Sequence, residues 1–284
     1  MTDRRIAWLA LGSLAEPGNR EIGELVRATG PVHTLERACA GRLSETLTGA
    51  MTARLGSALT PESIARHTER LTAEADRLGA RITCPDDADW PQSLADLARI
   101  SRVHTGAPVE RDTDPPLTLW ARGALPLADT LQRSVAIVGA RAATSYGEFV
   151  AGDLAHALAA HDWTVVSGGA LGIDAAAHRA ALNAGGRTVA VLACGIDRPY
   201  PVSNTGLFEQ IGESGLLLTE WPPGSPPHRV RFLVRNRVIA ALSAGTVVVE
   251  AARRSGSRQT LHRAAQLGRI PMVVPGPVTS PKCA

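Results

Sequence analysis

The chain has 284 residues, 44% hydrophobic and 20% charged, which suits one large globular domain or two smaller ones. No apolar run approaches the ~20 residues that span a bilayer, and the apolar stretch after Arg5 meets Glu16, Pro17 and Gly18 too soon for a secretion signal. The four cysteines, Cys39, Cys84, Cys194 and Cys283, have neither disulfide density nor zinc-ligand spacing, so free thiols in a reducing, cytoplasmic compartment are expected, with no metal and no membrane partner.

The formal net charge of +3 is small but unevenly spread. Residues 1–133 carry 16 Arg against 18 Asp and Glu, whereas residues 134–284 carry 14 basic against 9 acidic side chains. The stretch 229–269 holds nine Arg and one acid, Glu250. Such an imbalance suits a polyanionic partner on one surface.

The first 80 residues read as a small all-helical domain. Residues 20–29 have helical spacing and stop at Gly30-Pro31, which cannot continue the helix. A second helical stretch is expected over 34–47. A third, 61–79, opens with Thr60 as its cap and Pro61 at the first helical position, and Gly79 ends it. Residues 81–284 form the second predicted domain. It begins with a short strand near 80–85, a turn and brief helix over 86–97, a proline-rich loop over 105–116 and a strand near 115–123.

From Ser134 the pattern changes. Six apolar runs, at 134–139, 163–168, 188–195, 216–220, 246–251 and 270–276, are rich in Val, Ile and Leu without polar alternation, which predicts strands buried on both faces. Helical segments lie between them. Alternating strands and helices imply an α/β fold, an extended Rossmann-like, doubly wound, mostly parallel sheet.

In such a sheet, ligands bind beyond the carboxyl ends of the strands. The first strand ends in Gly139-Ala140-Arg141 and leads through Thr144, Ser145 and Gly147 into a helix, where bare amides and the helix dipole favour an anion. The second ends in Ser167-Gly168-Gly169 and reaches Asp174, read as a helix cap. His178 lies one turn further on; an Asp–His pair suits a general base, but no nucleophile is tied to it and a loop-orienting role is preferred. After the third, Tyr200 suits either base stacking or core packing. After the fourth come Phe232, Arg235, Asn236 and Arg237, whose two guanidinium forks and amide suit phosphate and sugar. After the fifth, Ser255-Gly256-Ser257 opens another helix, with Thr260 and Arg263 behind it. Neither G-x-G-x-x-G nor G-K-[ST] occurs, so no nucleotide cofactor is expected.

The motifs GARAATSYG (139–147), SGGALGIDAAAH (167–178), VLACGIDRPYPVSN (191–204), TEWPPG (219–224), F-x-x-RNR-x-I-x-x-LS (232–243), VVVEAARRSGS (247–257) and VPG (274–276) resemble, in order, those of the DprA (Smf) family. The resemblance covers about residues 80–276. It implies an extended Rossmann domain behind a helical domain similar to SAM or helix-hairpin-helix modules. It further implies single-stranded DNA binding, homodimerisation through the Rossmann domain, and transfer of the strand to a RecA-type recombinase during DNA uptake. The phosphate pocket it implies maps to Gly139, Arg141, Ser167, Gly168, Gly169, Phe232, Arg235, Asn236, Arg237, Ser255, Gly256 and Ser257; Ser145 and Arg263 join them from the loop reading above. Leu261 and His262 depart from the family's small-then-basic pattern after Thr260, and Arg263 is expected to supply that charge. Family sequences usually continue beyond the VPG strand, so a C-terminal truncation is expected. The expectation is a non-catalytic DNA-binding protein. The rival reading is a phosphoribohydrolase-like enzyme; the P-G-G-x-G-T loop it needs is replaced by residues 167–172, and Glu250 is its best remaining acid.

Overall fold

A computed structural model describes residues 3–101, 113–252 and 255–276. Four helices come first: α1 (Arg4–Leu14), α2 (Arg20–Cys39), α3 (Glu45–Leu55) and α4 (Pro61–Arg77). Helix α2 is broken at Gly30, whose φ of 80° interrupts the helical backbone where Gly30-Pro31 was expected to stop it. The helix expected over 34–47 is in fact two pieces, the end of α2 and the start of α3. Gly41 (φ 65°) turns the chain between them, and Ser44 caps α3 through the Leu47 amide. Thr60 and Ser63 form a reciprocal capping box at the start of α4, and Gly79 (φ 60°) follows its end. Leu11, Leu14, Ile22, Leu35, Met51 and Ile64 give these helices a core of their own. Leu9, Leu71 and Ala75 instead face the sheet, against Ile82, Trp120 and Leu217.

The body is one eight-stranded sheet. Strands β1 (Ala80–Thr83) and β2 (Leu119–Arg122) are followed by β3 (Ser134–Val138), β4 (Thr164–Ser167), β5 (Thr188–Val191), β6 (Leu216–Thr219), β7 (Gly245–Val248) and β8 (Ile270–Val273). Their spatial order is β1-β2-β6-β5-β4-β3-β7-β8. All pairs from β6 to β8 are parallel; β1 and β2 are antiparallel additions. The described helices of the body are α5 (Leu97–Ser101), α6 (Leu127–Leu131), α7 (Ser145–Ala160), α8 (Ile173–Asn183), α9 (Thr205–Ser214), α10 (Arg229–Leu242) and α11 (Gly256–Gln266). Most of the loop expected over 105–116 and the expected truncation point lie outside the described residues.

Core packing follows the two faces. Ala136, Val138, Val166, Val191, Leu216 and Leu218 meet Val238, Leu242 and Ala264 of α10 and α11. Val135, Ile137 and Val165 meet Ala151, Ala155, Ala177 and Ala181 of α7 and α8. Small residues on α7 and α8 let those helices sit close to the sheet. Strands β3 to β7 are buried on both faces, as their unalternating sequences predict. Strand β8 is not. Ile270 and Val273 are exposed, because β8 is the last strand of the sheet and has a neighbour strand on one side only, while Met272 still packs on the core. The chain winds from β3 toward β6 on one side and resumes on the other at β7, so the strand order reverses between β3 and β7. That reversal opens a crevice at the strands' carboxyl ends.

Candidate functional site

A cleft of about 900 Å3 occupies this crevice. Its walls come from the β3–α7 loop (Gly139, Arg141), the β4–α8 loop (Ala170, with Asp174), Tyr200, the first turns of α10, and the start of α11. Among the described lining residues the cations are Arg141, Arg229 and Arg235, and the acid is Asp174. Phe232 stands at the centre. The Arg141 guanidinium carbon lies 5.4 Å from its ring centroid and that of Arg235 6.0 Å, while Tyr200 packs against it at 5.8 Å with the planes tilted by 58°.

Arg235 is the floor of the cleft, 5% exposed. It donates to the carbonyls of Gly168 (2.9 Å) and Val191, and its Nε donates to Asn236 Oδ1 (3.2 Å). Burial lowers it to about 10, which leaves it charged at neutral pH. A Cβ on Gly168 would lie 2.5–2.7 Å from this guanidinium, so the arginine fits beneath the β4–α8 loop only because residue 168 has no side chain. Gly172 serves the neighbouring loop in the same way: with φ at 72°, it lets the carbonyls of Ala140 and Arg141 approach its Cα face, where a Cβ would come within 2.4–2.6 Å of them.

Buried carboxylates tie the loops down. Asp174 is the second residue of α8 rather than its cap, and accepts the amides of Gly168 (3.2 Å) and Ala170 (3.3 Å). Burial raises its pKa, opposed by the Arg235 charge and these amides. Asn204 donates to the carbonyls of Gly169 (3.0 Å) and Ala170 (3.3 Å) from below. Glu250 accepts the Thr144 amide (3.0 Å) and hydroxyl (2.5 Å), and so fixes the N-terminus of α7. His178 does not pair with Asp174. Its Nδ1 meets the Thr188 hydroxyl at 2.7 Å in the core, and burial lowers it to about 3.

The sequence-predicted residues therefore separate into groups. Gly139, Arg141, Phe232, Arg235, Asn236, Ser255, Gly256 and Ser257 line the cleft together. Gly168 and Gly169 stand behind it as the loop that holds Arg235. Ser167 is buried and donates to Ile137 O (2.6 Å), a strand-to-strand tie. Ser145 is exposed at the start of α7, outside the lining. Two expectations fail on geometry. Arg237 is 1% exposed and forms a two-pronged ion pair with Glu220 (2.6 and 2.7 Å), away from the cleft. Arg263 is buried, bonds Gln266 (3.0 Å) and does not replace the missing cation. Arg229, at the first turn of α10, lines the cleft instead; its place in the basic 229–269 stretch was the one signal for it. Gln259 was also missed. It lines the cleft with Ser255, and the Gln259 Oε1 and Ser255 Oγ atoms are buried without a partner among the described residues.

The family model for DNA recombination-mediator protein A matches residues 81–284, which hold the cleft and all of the sheet but the first residue of β1. The chain belongs to this family. A DprA-named protein of Mycobacterium tuberculosis is 45% identical over 277 residues, covering 96% of this chain and 67% of its own length. The DNA processing protein DprA of Bacillus subtilis is 39% identical over 168 residues, covering 59% of this chain and 56% of its own. Among solved structures, DprA from Streptococcus pneumoniae superposes with a TM-score of 0.70 at 28% identity, covering 99% of this chain and 89% of that one. DprA from Helicobacter pylori, described for its single-stranded DNA binding mode, gives 0.59 at 28% identity, covering 70% of this chain and 83% of that one. The family match thus accounts for the Rossmann-like body, and the Streptococcus pneumoniae superposition extends over the helices in front of it. No described helix is long and apolar enough to cross a membrane.

Proposed function

We propose that the chain binds single-stranded DNA in the cleft at the β3/β7 crevice. One observation carries the reading: Arg141 and Arg235, far apart in sequence, converge on the Phe232 ring at the rim where loop amides and the start of α11 also point. Phosphates sit against Arg141, Arg229 and Arg235 and the Ser255–Ser257 turn. Bases lie against the Tyr200–Phe232 pair, which needs unstacked nucleotides and so favours a single strand over a duplex. The binding mode described for the Helicobacter pylori relative supports the same ligand here.

Residues 1–80 act as a helical unit and 81–284 as the DNA-binding domain. In this reading the strand is passed to a RecA-type recombinase in the cytoplasm, as in DNA uptake; the family's description as a recombination mediator supports a role of this kind. A homodimer through the Rossmann domain is supported by the exposed apolar side chains of the edge strand β8, Ile270 and Val273. Binding proceeds without turnover. The acids and base that a hydrolase would draw on are engaged in holding loops and core: Glu250 by Thr144, Asp174 by loop amides, His178 by Thr188.

Fluorescence anisotropy with a short single strand and a duplex of equal length, across a salt series, tests this. Single-strand preference is expected, and Arg141→Ala lowers the log–log salt slope by about 0.7, one phosphate's worth. Equal affinity for duplex, or an unchanged slope, rejects the assignment. Release of free base from nucleoside monophosphates would reject the non-catalytic reading.

A further inference from the structure

Helix α10 has two working faces. Phe232, Arg235, Asn236 and Ile239 line the cleft. Arg231, Val234 and Arg237 turn away from it, at the spacing that places residues on another side of a helix. That second face is gripped by the N-terminal part of the chain. Glu16, in the turn after α1, accepts the Trp221 indole N–H at 2.9 Å and the Arg231 Nε at 3.0 Å. Its other oxygen pairs with Arg54 at the end of α3, which also donates to Leu14 O at 3.2 Å. Arg231 in turn lies over the Trp221 ring at 5.6 Å and donates to Pro226 O at 2.9 Å, just before α10 begins.

Trp221 and Val234 are buried together with Ala193, and Phe232 packs on this cluster. A short physical path therefore leads from Glu16 through Trp221 and Arg231 to the ring on which Arg141 and Arg235 rest. A second tie backs it: Arg237 Nε donates to Asp114 O at 3.1 Å, and the Asp114 carboxylate pairs with Arg27 of α2. The helical unit thus holds the cleft helix at two points without contributing a side chain to the cleft lining.

We propose that Glu16 is a positioning residue for the cleft: by fixing Trp221 and Arg231 from the helical unit, it sets the pose of Phe232 and Arg235 and so tunes affinity for single-stranded DNA. The inference rests on the reading of the cleft as a single-stranded DNA site. It makes a prediction whose sign opposes simple electrostatics. Deleting an acid from a protein that binds a polyanion should tighten binding through the long-range field. Loss of a positioning contact weakens it, by roughly three- to thirtyfold for a coupling of this kind.

The test uses the full chain with Glu16→Ala, Glu16→Gln and Trp221→Phe, measuring anisotropy of a labelled oligothymidylate and amide exchange over residues 221–235. Glu16→Ala is expected to weaken binding and to speed exchange in the first turns of α10. Glu16→Gln, which keeps an acceptor for the indole, is expected to recover part of both. Trp221→Phe removes the donor together with part of the buried ring but leaves Glu16 and its charge in place; it is expected to shift both readouts the same way, and it decides the matter if Glu16→Ala does not fold. Wild-type or tighter binding by Glu16→Ala, or Trp221→Phe if that alone folds, overturns the proposal. If the wild-type chain binds no oligothymidylate, the DNA reading fails by itself; the exchange data then judge the clamp, and unchanged exchange in α10 overturns it.

Discussion

Arg235 does two things at once, and a pair of substitutions separates them. Its guanidinium lies on the cleft floor, and its charge also opposes the burial of the Asp174 carboxylate. Arg235→Met keeps much of the side-chain volume but removes both effects. Loss of a charge-assisted contact to a phosphate costs about 1.5–3 kcal/mol of binding, or roughly 10- to 150-fold in Kd. The same change leaves Asp174 buried without its compensating cation and the carbonyls of Gly168 and Val191 without a donor, at a cost to folding on the order of 3 kcal/mol. Adding Asp174→Asn removes the stranded charge and keeps an acceptor for the loop amides. Urea unfolding should therefore show the single variant destabilised and the double variant partly restored. Anisotropy with a short single strand should show both variants equally weak. Recovery of binding together with stability in the double variant would refute the reasoning, because Arg235 would then matter only as the counter-ion of Asp174.

Other outcomes follow from the same geometry. Glu220→Gln strands the buried Arg237 charge and should destabilise the fold by about 3–5 kcal/mol in chemical denaturation, while the salt slope of DNA binding stays at the wild-type value. Gly168→Ala should displace the Arg235 guanidinium and weaken single-strand binding, with intact secondary structure by circular dichroism; wild-type affinity would show that Arg235 is not needed in its observed pose. His67 and His178 are held neutral by burial, with Arg70 and Arg235 adding to the effect, at about 4 and about 3. The unfolded chain binds more protons than the folded one below about pH 6.5, so stability is complete above that pH and falls as pH drops toward the folded values. Replacing either histidine by glutamine should flatten the urea-denaturation profile between pH 6.5 and 4 by up to about 1.4 kcal/mol per pH unit; an unchanged slope would show that the histidine is not held neutral.

Much of this was legible in the chain itself. Unalternating apolar runs separated by helical segments determine a parallel sheet, because a strand covered on both faces has no polar side to show. Glycine, hydroxyl and arginine residues just after those runs mark where an anion could sit, since strand ends in such a sheet share one edge. Spacing did not tell which basic residue reaches the cleft. Arg235 and Arg237 flank Asn236 symmetrically in sequence, yet a helix turns by about 100° per residue. One therefore points into the cleft and the other into Glu220, a partner that stands just after β6 and meets Arg237 only when α10 folds back on the sheet. Arg263, whose position after Thr260 suggests a cleft cation, is likewise turned into the core, and the apolar run of β8 predicts a strand buried on both faces although an edge is a property of the assembled sheet rather than of its residues. The clamp at Glu16 is further still from the sequence. Residues 16, 54, 221 and 231 meet only once the helices dock on the sheet, so long-range packing alone decides it.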